Sequence, residues 1–130
     1  MDNDDGTVTD TCTGLMWQQA TASPSIEYDP DQDGRLTWQE ALQYCEGLDL
    51  GGHTDWRLPN VKELQSIVDY GRFNPSIDPV FNAESSWYWS SSSNVDETVH
   101  AWGVDFHHGL VDDGNKDGYR TYVRAIRGGL

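Results

Sequence analysis

The sequence contains little positive charge. Only eight of its 130 residues are Lys or Arg, against 22 Asp and Glu, and the formal net charge is −14. A surface this acidic repels phosphate and sulfate groups, which argues against nucleic acids, anionic membranes and heparin-like polymers as partners. The chain also lacks an apolar run of about 20 residues, so we expect no membrane insertion by this domain.

Cysteine is scarce. Cys12 and Cys45 are the only two cysteines, and neither belongs to a Cys/His pattern with zinc spacing. If they were joined, the bond would enclose the acidic segment between them and add roughly 3 to 4 kcal/mol to the free energy of unfolding. The alternative is two buried thiols in a reducing compartment. We expect the disulfide between Cys12 and Cys45, and with it a secreted, periplasmic or cell-surface location.

Sequence signatures of catalysis are missing as well. No phosphate loop, nucleotide-binding fingerprint or G-x-S-x-G motif occurs. His107 and His108 follow Asp105, but neighbouring residues of a strand point to opposite faces, so the two imidazoles are not expected to share a metal ion. A Ser-His-Asp set could be assembled from residues 90–93, a histidine and Asp105, but nothing in the sequence selects it. We expect a protein that is not an enzyme.

Aromatic residues and glycine are plentiful. The chain has six Trp, six Tyr, three Phe and 13 Gly, which indicates one loop-rich domain over residues 1–130, with an aromatic core and short strands. Met1 is followed by acidic residues and not by a basic segment and an apolar run, so we expect any export signal or anchor to lie outside these residues.

Residues 29–40 read DPDQDGRLTWQE and match the spacing D-x-D-x-D-G-x5-E of a twelve-residue calcium loop. Alternate carboxylates can face one centre, the glycine permits the sharp turn, and the final glutamate can close the shell with two oxygens. The predicted ligands are Asp29, Asp31, Asp33, the carbonyl of Arg35, and Glu40. No entering helix is predicted before the loop, so we expect a structural ion and not a sensor pair.

Glu40 has an alternative role. Thr37, three residues earlier, forms a capping box with it for a helix predicted from about Trp38 to Leu48. An acidic turn with a glycine can also be solvated without any ion. The calcium loop and the capped helix with a solvated turn therefore both remain open.

The remaining elements follow from periodicity and turn residues. Asn60 and Glu63 form a second capping box, which predicts a helix ending near Tyr70. Strands are predicted at residues 6–18 (two short strands), 86–91, 100–107 and 120–127, and a polar turn at residues 112–118.

Five motifs occur in a recognisable order. They are DTCTGLMWQ at residues 10–18, TWQEAL at 37–42, DWRLPN with EL at 55–60 and 63–64, YWSSS at 88–92, and YVRAIRGG at 122–129. Together they resemble the Lcl C-terminal domain family of bacterial surface proteins, over nearly the whole chain. The closing motif is also similar to the end of formylglycine-generating-enzyme-like domains.

The resemblance implies an α+β, C-type-lectin-like fold, with two helices flanking a small, twisted, mostly antiparallel sheet and with the N- and C-terminal strands close together. Family members are typically secreted or lipid-anchored, and the member that gives the family its name is an adhesin that binds sulfated glycans. The calcium loop is not among the motifs of the family. With so few basic residues, sulfated-glycan binding is not transferred to this chain, and Arg57, Arg124 and Arg127 are expected to serve packing and carboxylate pairing.

The loops between the late strands are the expected binding surface, because lectin-like folds present ligands there. Aromatic faces stack on sugar rings or protein side chains, and Asp and Asn side chains bond to hydroxyl groups. The predicted ligand-binding residues are Trp87, Tyr88, His107, His108, Asp112, Asp113, Asn115 and Tyr119. The ligand would be a neutral glycan or a protein surface. The alternatives are that the tryptophans are core residues, and that the domain is a structural or homo-oligomerising head with no small ligand.

Overall fold

The computed structural model describes residues 2–21, 35–72 and 74–128. Its elements are β1 (Thr7–Thr9), β2 (Met16–Gln18), α1 (Trp38–Glu46), α2 (Val61–Ser66), β3 (Trp87–Asn94), β4 (Glu97–Asp105), β5 (Leu110–Asn115) and β6 (Ile126–Arg127). The α+β prediction is confirmed. The strands form two antiparallel three-stranded sheets, of order β1-β2-β6 and β3-β4-β5, where one sheet was expected. The C-type-lectin-like arrangement stays a prediction.

The first sheet joins the two ends of the chain. Val8 of β1 lies opposite Trp17 of β2, and Trp17 lies opposite Ile126 of β6. All three side chains are buried, with exposed fractions of 4% or less. Strands β1 and β6 both pair with β2, so the predicted closeness of the N- and C-terminal strands is confirmed.

Both helices begin at the predicted capping boxes. The side chain of Thr37 accepts a hydrogen bond from the Glu40 amide, and the side chain of Asn60 accepts one from the Glu63 amide, with the reciprocal bonds also present. Helix α2 ends at Ser66, earlier than predicted, because the Asp69 amide donates to the Ser76 carbonyl at 2.8 Å. That contact turns the chain away from the helix axis.

Two clusters of buried side chains form the core. The first lies around the first sheet, α2 and the adjacent ends of β3 and β4, and contains Val8, Leu15, Trp17, Leu64, Ile77, Phe81, Tyr88, Val104, Phe106 and Ile126. The second lies around α1 and contains Leu36, Ala41, Cys45, Trp56, Leu58, Trp89, Ala101, Val123 and Ala125. Both clusters draw on the second sheet and on the closing segment 123–126, so these elements tie the two parts of the core together.

Strand β5 replaces most of the predicted polar turn. Residues Leu110–Asn115 pair with β4 in continuous antiparallel register, from Asp105 opposite Leu110 to His100 opposite Asn115. The composition Asp-Asp-Gly-Asn indicates a turn by local propensity, and pairing with a neighbouring strand overrides that preference. The true turn after β5 is confined to residues 116–118.

Two of the motif arginines pair with carboxylates, as expected. Arg57 bonds Glu63 through two nitrogens, each 2.7 Å from a carboxylate oxygen, and Arg127 bonds Asp55 at 2.7 and 3.1 Å. These bonds lower the pKa of Glu63 and the pKa of Asp55 below their ordinary values. The third, Arg124, is instead 1% exposed and fully inside the protein.

The Arg57–Glu63 pair predicts a pH-dependent stability. Since the folded pKa of Glu63 lies below its ordinary value of 4.5, the pair stabilises the protein above pH 4.5, and this contribution is lost as the pH falls through the lower folded value. We expect Glu63→Gln to reduce the free energy of unfolding at pH 7 by about 1 kcal/mol through loss of the ion pair with Arg57, because glutamine still completes the capping box. Urea unfolding should find the variant and the wild type converging toward pH 3. A difference in the free energy of unfolding between the two proteins that stayed constant with pH would contradict the assignment of this stability to the ionised Glu63.

The predicted disulfide is not present. Cys12 and Cys45 are both free thiols, the first exposed and the second buried. Cys12 belongs to the turn after β1, whereas Cys45 lies on the inward face of α1 with no exposed area. Burial raises the pKa of the Cys45 thiol to about 12, so it remains protonated at neutral pH. The prediction was wrong because the presence of two cysteines in a sequence does not show that they are close in space. Cys12 lies in an exposed turn, whereas Cys45 is buried in the core.

Among the residues that the structure describes, there is no helix with the length and apolar character needed to cross a membrane.

Candidate ligand groove

A groove of about 380 Å³ lies against one face of the second sheet. Residues that face each other in register share a face of a sheet, and Trp89, Gly103 and Asp112 are partners across β3, β4 and β5. The groove is lined by Arg35, Ser86, Trp87, Trp89, Gly103, Asp112, Asp113, Gly114, Tyr119, Arg120 and Thr121. Its volume is within the range of pockets that hold small molecules.

Two glycines keep the floor of the groove open. A Cβ atom at Gly103 would lie 3.1 Å from the Tyr88 carbonyl and 3.6 Å from the Trp87 ring, and one at Gly114 would lie 3.2 Å from the Tyr119 ring. Side chains at these positions would occupy the space between the aromatic rings. The absence of side chains at Gly103 and Gly114 therefore helps to set the shape of the groove.

Aromatic side chains form the walls of the groove and part of its floor. Trp89 is 2% exposed and its indole nitrogen donates to the Leu36 carbonyl at 2.9 Å, so it is a fixed floor residue. Trp87 is half-buried, and Tyr119 is 61% exposed. The ring of Tyr119 is placed by its turn, in which the Tyr119 amide donates to the Asn115 carbonyl at 3.2 Å.

Charged side chains of both signs border the groove. Arg35 and Arg120 are two of the eight basic residues of the chain, and Asp112 and Asp113 lie on β5 among the lining residues. The two arginines are brought to the sheet by a bridge between their neighbours Leu36 and Thr121, whose amides each donate to the other's carbonyl at 2.8 and 2.9 Å. Basic and acidic residues therefore occur in equal number around the groove, although the chain as a whole is strongly acidic.

Arg120 retains an unused donor. Its Nη1 lies 3.8 Å from Glu40 Oε1, which is beyond hydrogen-bond distance, and this buried nitrogen has no hydrogen-bond partner. Glu40 Oε1 is itself occupied by the Thr37 amide at 2.9 Å. Because this nitrogen is buried, its interaction is the ion pair with Glu40, and a ligand in the groove does not reach it.

Four of the eight predicted ligand-binding residues line the groove: Trp87, Asp112, Asp113 and Tyr119. Asn115 lies beside it and has a structural task, since its Oδ1 accepts from the amides of Asp117 and Gly118, both at 2.9 Å. Sequence reasoning missed five parts of this surface: the side chain of Arg35, and the residues Trp89, Gly103, Gly114 and Arg120. These residues join the groove through strand pairing and the Leu36–Thr121 bridge, which have no local signal.

Tyr88 was predicted on the binding surface, and the structure corrects this. Its side chain is 0% exposed and its ring packs edge-on against Phe106, with centroids 5.2 Å apart. Its hydroxyl accepts from the Glu84 amide at 2.9 Å and lies 2.5 Å from Thr21 Oγ1. Alternation along β3 sends Trp87 and Trp89 to the groove and Tyr88 to the opposite, buried face.

The histidine pair lies away from the groove, in the turn after β4. Because His107 and His108 belong to a turn and not to a strand, their rings touch, with centroids 4.0 Å apart, and the expectation of opposite faces was wrong. Asp105 holds the turn by accepting from the His107 amide at 2.8 Å. His108 Nδ1 is 3.8 Å from the same carboxylate.

The predicted calcium ligands are only partly placed. Asp29, Asp31 and Asp33 lie outside the described residues. Arg35 is exposed at the rim of the groove, and Glu40 lies at the third position of α1 with its carboxylate in the capping box. The capping role of Glu40 is therefore confirmed, and the calcium loop remains a prediction.

The comparisons with known proteins agree with the motif order. A family model described as the Lcl C-terminal domain matches residues 6–127. A search of the curated proteins found no match.

Proposed function

Because the chain belongs to the Lcl C-terminal domain family, a family of bacterial surface-protein domains, we propose that it is a non-catalytic, adhesin-like binding domain that acts outside the cytoplasm. We propose further that its ligand is a neutral glycan and that the ligand binds in the groove on the second sheet. The observation that carries the proposal is the composition of that groove, with aromatic walls, a glycine floor and bordering charges of both signs.

The chemistry of the groove favours a sugar over a charged ligand. Trp87 and Tyr119 offer ring faces, and hydroxyl groups need both donors and acceptors. Arg35 and Arg120 border the groove with guanidinium groups, and Asp112 supplies carboxylate oxygens. A strongly anionic polymer would meet the net negative charge of the rest of the chain, which is the reason for preferring a neutral glycan.

A matched pair of tyrosine variants tests the proposal. Tyr119 is 61% exposed and lines the groove, whereas Tyr70 is 68% exposed and lies elsewhere. On a glycan array, and with the selected glycan in solution, we expect Tyr119→Ala to weaken binding about tenfold through the loss of ring stacking. Tyr70→Ala should bind as the wild type does. Equal losses in both variants, or no bound glycan in the wild type, would refute the groove as a glycan site.

We also propose that residues 29–40 hold a structural calcium ion. Calcium at about a hundred times its dissociation constant should raise the free energy of unfolding by about 2.7 kcal/mol relative to EDTA. Glu40→Gln is the most informative variant, because glutamine at this position still completes a capping box but supplies no carboxylate. We expect this variant to lose the calcium effect in thermal unfolding and to keep most of its stability in EDTA. An undiminished calcium effect in Glu40→Gln would assign the ion to another site.

The second candidate function is a homo-oligomerising head. Val99 of β4 and Leu110 and Val111 of β5 are 60%, 56% and 37% exposed, and these exposed apolar side chains are the observation that favours this function. Leu110 and Val111 are sequence neighbours on one strand and point to opposite faces, so they do not form one apolar surface. A concentration-dependent shift on a sizing column that is abolished by Leu110→Ser would support this function, and a monomer at all concentrations would exclude it.

A further inference from the structure

A second cluster of polar side chains lies at the start of β4. Glu97 and His100 of β4 and Asp113 of β5 each offer a ligand atom, and these atoms lie within 4.8 Å of one another. His100 Nδ1 is 3.2 Å from Asp113 Oδ2, and His100 Nε2 is 3.4 Å from Glu97 Oε2. One imidazole thus lies between two carboxylates.

The cluster faces away from the floor of the groove. Asp113 is the register partner of Trp102, and His100 is two residues before Trp102 on the same strand, so both side chains share its face. Gly103 lies one residue further along β4 and faces the groove. Asp113 is on the edge strand, where it borders the groove while its carboxylate contacts His100. The cluster therefore adjoins the glycan site that we propose, and the two share the border residue Asp113.

Asp113 is held in position by a further side chain. Asn94, at the end of β3, donates from Nδ2 to Asp113 Oδ2 at 2.8 Å. Asn94 is fixed in turn, because its Oδ1 accepts from the Asp96 amide at 3.0 Å. The bond from Asn94, with a smaller effect of His100, lowers the pKa of Asp113, which keeps the carboxylate ionised. Metal ligands commonly have such outer partners.

We propose that Glu97, His100 and Asp113 form a binding site for a divalent transition-metal ion of the zinc class. Imidazole and carboxylate together suit zinc and its neighbours, whereas calcium prefers oxygen ligands alone. Donor atoms about 2.1 Å from a tetrahedral zinc ion lie roughly 3.4 Å apart, and the donor atoms of this cluster lie within 4.8 Å of one another. Because Asp113 and Glu97 contact different nitrogens of His100, the exposed side chain of Glu97 moves toward the ion to complete the shell. The ion takes one ring nitrogen and one oxygen from each carboxylate, and its remaining position is open to water.

The competing explanation is a polar cluster that holds no metal, in which His100 contacts the carboxylates of Asp113 and Glu97 directly.

Calorimetric titration with zinc chloride tests the site. Because the chain has many carboxylates, the titration is done in millimolar calcium, which occupies sites made of oxygen alone. We expect one zinc ion per chain, at least tenfold weaker binding in His100→Gln, and about tenfold weaker binding in Asn94→Ala, where the outer partner is lost. The control is His108→Gln, which removes an exposed histidine (57% exposed side chain) outside the cluster and should bind zinc as the wild type does.

Imidazole resonances in the wild type provide a second readout that does not depend on the folding of a variant. Zinc should shift the ring signals of His100 and leave those of His53 and His108 in place. Zinc binding that is unchanged in His100→Gln, or ring shifts confined to the other histidines, would overturn the proposal. The absence of any zinc binding in the presence of calcium would overturn it as well and would leave the cluster as a set of direct contacts between His100 and two carboxylates.

Discussion

Replacing Arg124 by methionine is expected to lower the free energy of unfolding by about 4 kcal/mol or more, equivalent to roughly 12 to 20 °C in Tm for a chain of this size. Arg124 is 1% exposed. Its guanidinium donates to five uncharged oxygens: the carbonyls of Gln18, Gln19, Ala20 and Asn82, and the Thr21 hydroxyl. Burial lowers the pKa of Arg124, but its ordinary value is far above neutrality, so the group stays charged.

The size of the effect follows from how many contacts depend on one group. Hydrogen bonds to a charged donor contribute about 1.5 to 3 kcal/mol each, and acceptors left without a partner add a desolvation cost. The guanidinium also lies 4.9 Å from the centre of the Phe81 ring. It thus connects the end of β2 to residue 82 and to the closing segment of the chain. A lysine cannot reproduce this fork of donors, so Arg124→Lys should also be strongly destabilised.

Arg72→Met is the matched control, because it makes the same change in charge and shape on the surface. Arg72 pairs with Asp69 at 3.0 Å, with side chains 53% and 43% exposed. Such a pair contributes little, and we expect a change within about 0.5 kcal/mol. Urea unfolding of both variants decides the question. If Arg124→Met were no more destabilised than Arg72→Met, the buried guanidinium would not be the connection described here.

The second large effect is expected at Trp89, which belongs to both the core and the groove. Trp89→Ala should lower the free energy of unfolding by about 3 to 5 kcal/mol, as truncation of a buried aromatic side chain usually does. The residue is 2% exposed and its ring packs in the second core cluster with Leu36, Ala101 and Val123. Its indole N–H also donates to the Leu36 carbonyl. Trp89→Phe keeps most of the ring and should lower the free energy of unfolding less. Its main loss is the indole hydrogen bond, which contributes about 1 kcal/mol.

Trp87→Ala separates stability from binding. Trp87 is only half-buried, so its loss should destabilise the protein less than Trp89→Ala, while glycan binding should be weakened at least as much as in Tyr119→Ala. Thermal unfolding and glycan titration of the two tryptophan variants give both quantities. If Trp87→Ala were the more destabilised of the two, the assignment of Trp89 to the floor and Trp87 to the wall would be wrong.

Local signals predicted the first half of the fold well. The capping residues Thr37 and Asn60 act within a few residues of the helix starts, so the sequence displays them directly. Strand β5 was missed because its acidic residues have no strand propensity of their own and are held by β4. The early end of α2 was missed for the same reason, since it depends on a hydrogen bond from Asp69 to Ser76.

The candidate groove was predictable only in part. The late aromatic and acidic residues, such as Trp87 and Asp112, stand out by composition. Arg120 and Gly103 do not, because their roles come from the Leu36–Thr121 bridge and from the absence of a side chain between two rings. The face on which Tyr88 lies could not be read from a short strand with aromatic residues at three successive positions. It is set by packing against Phe106, which is distant in sequence.

An amide and indole NMR titration with a neutral oligosaccharide selected on the array tests the glycan groove most directly. The indole N–H of Trp87 and the amides of Gly103 and Gly114 should shift with increasing ligand, while the signals of Trp56 and Gly14, outside the groove, stay in place. Shifts confined to the turn around His107 and His108, or no shift with any glycan of the array, would contradict the proposal that this groove is the binding site of the domain.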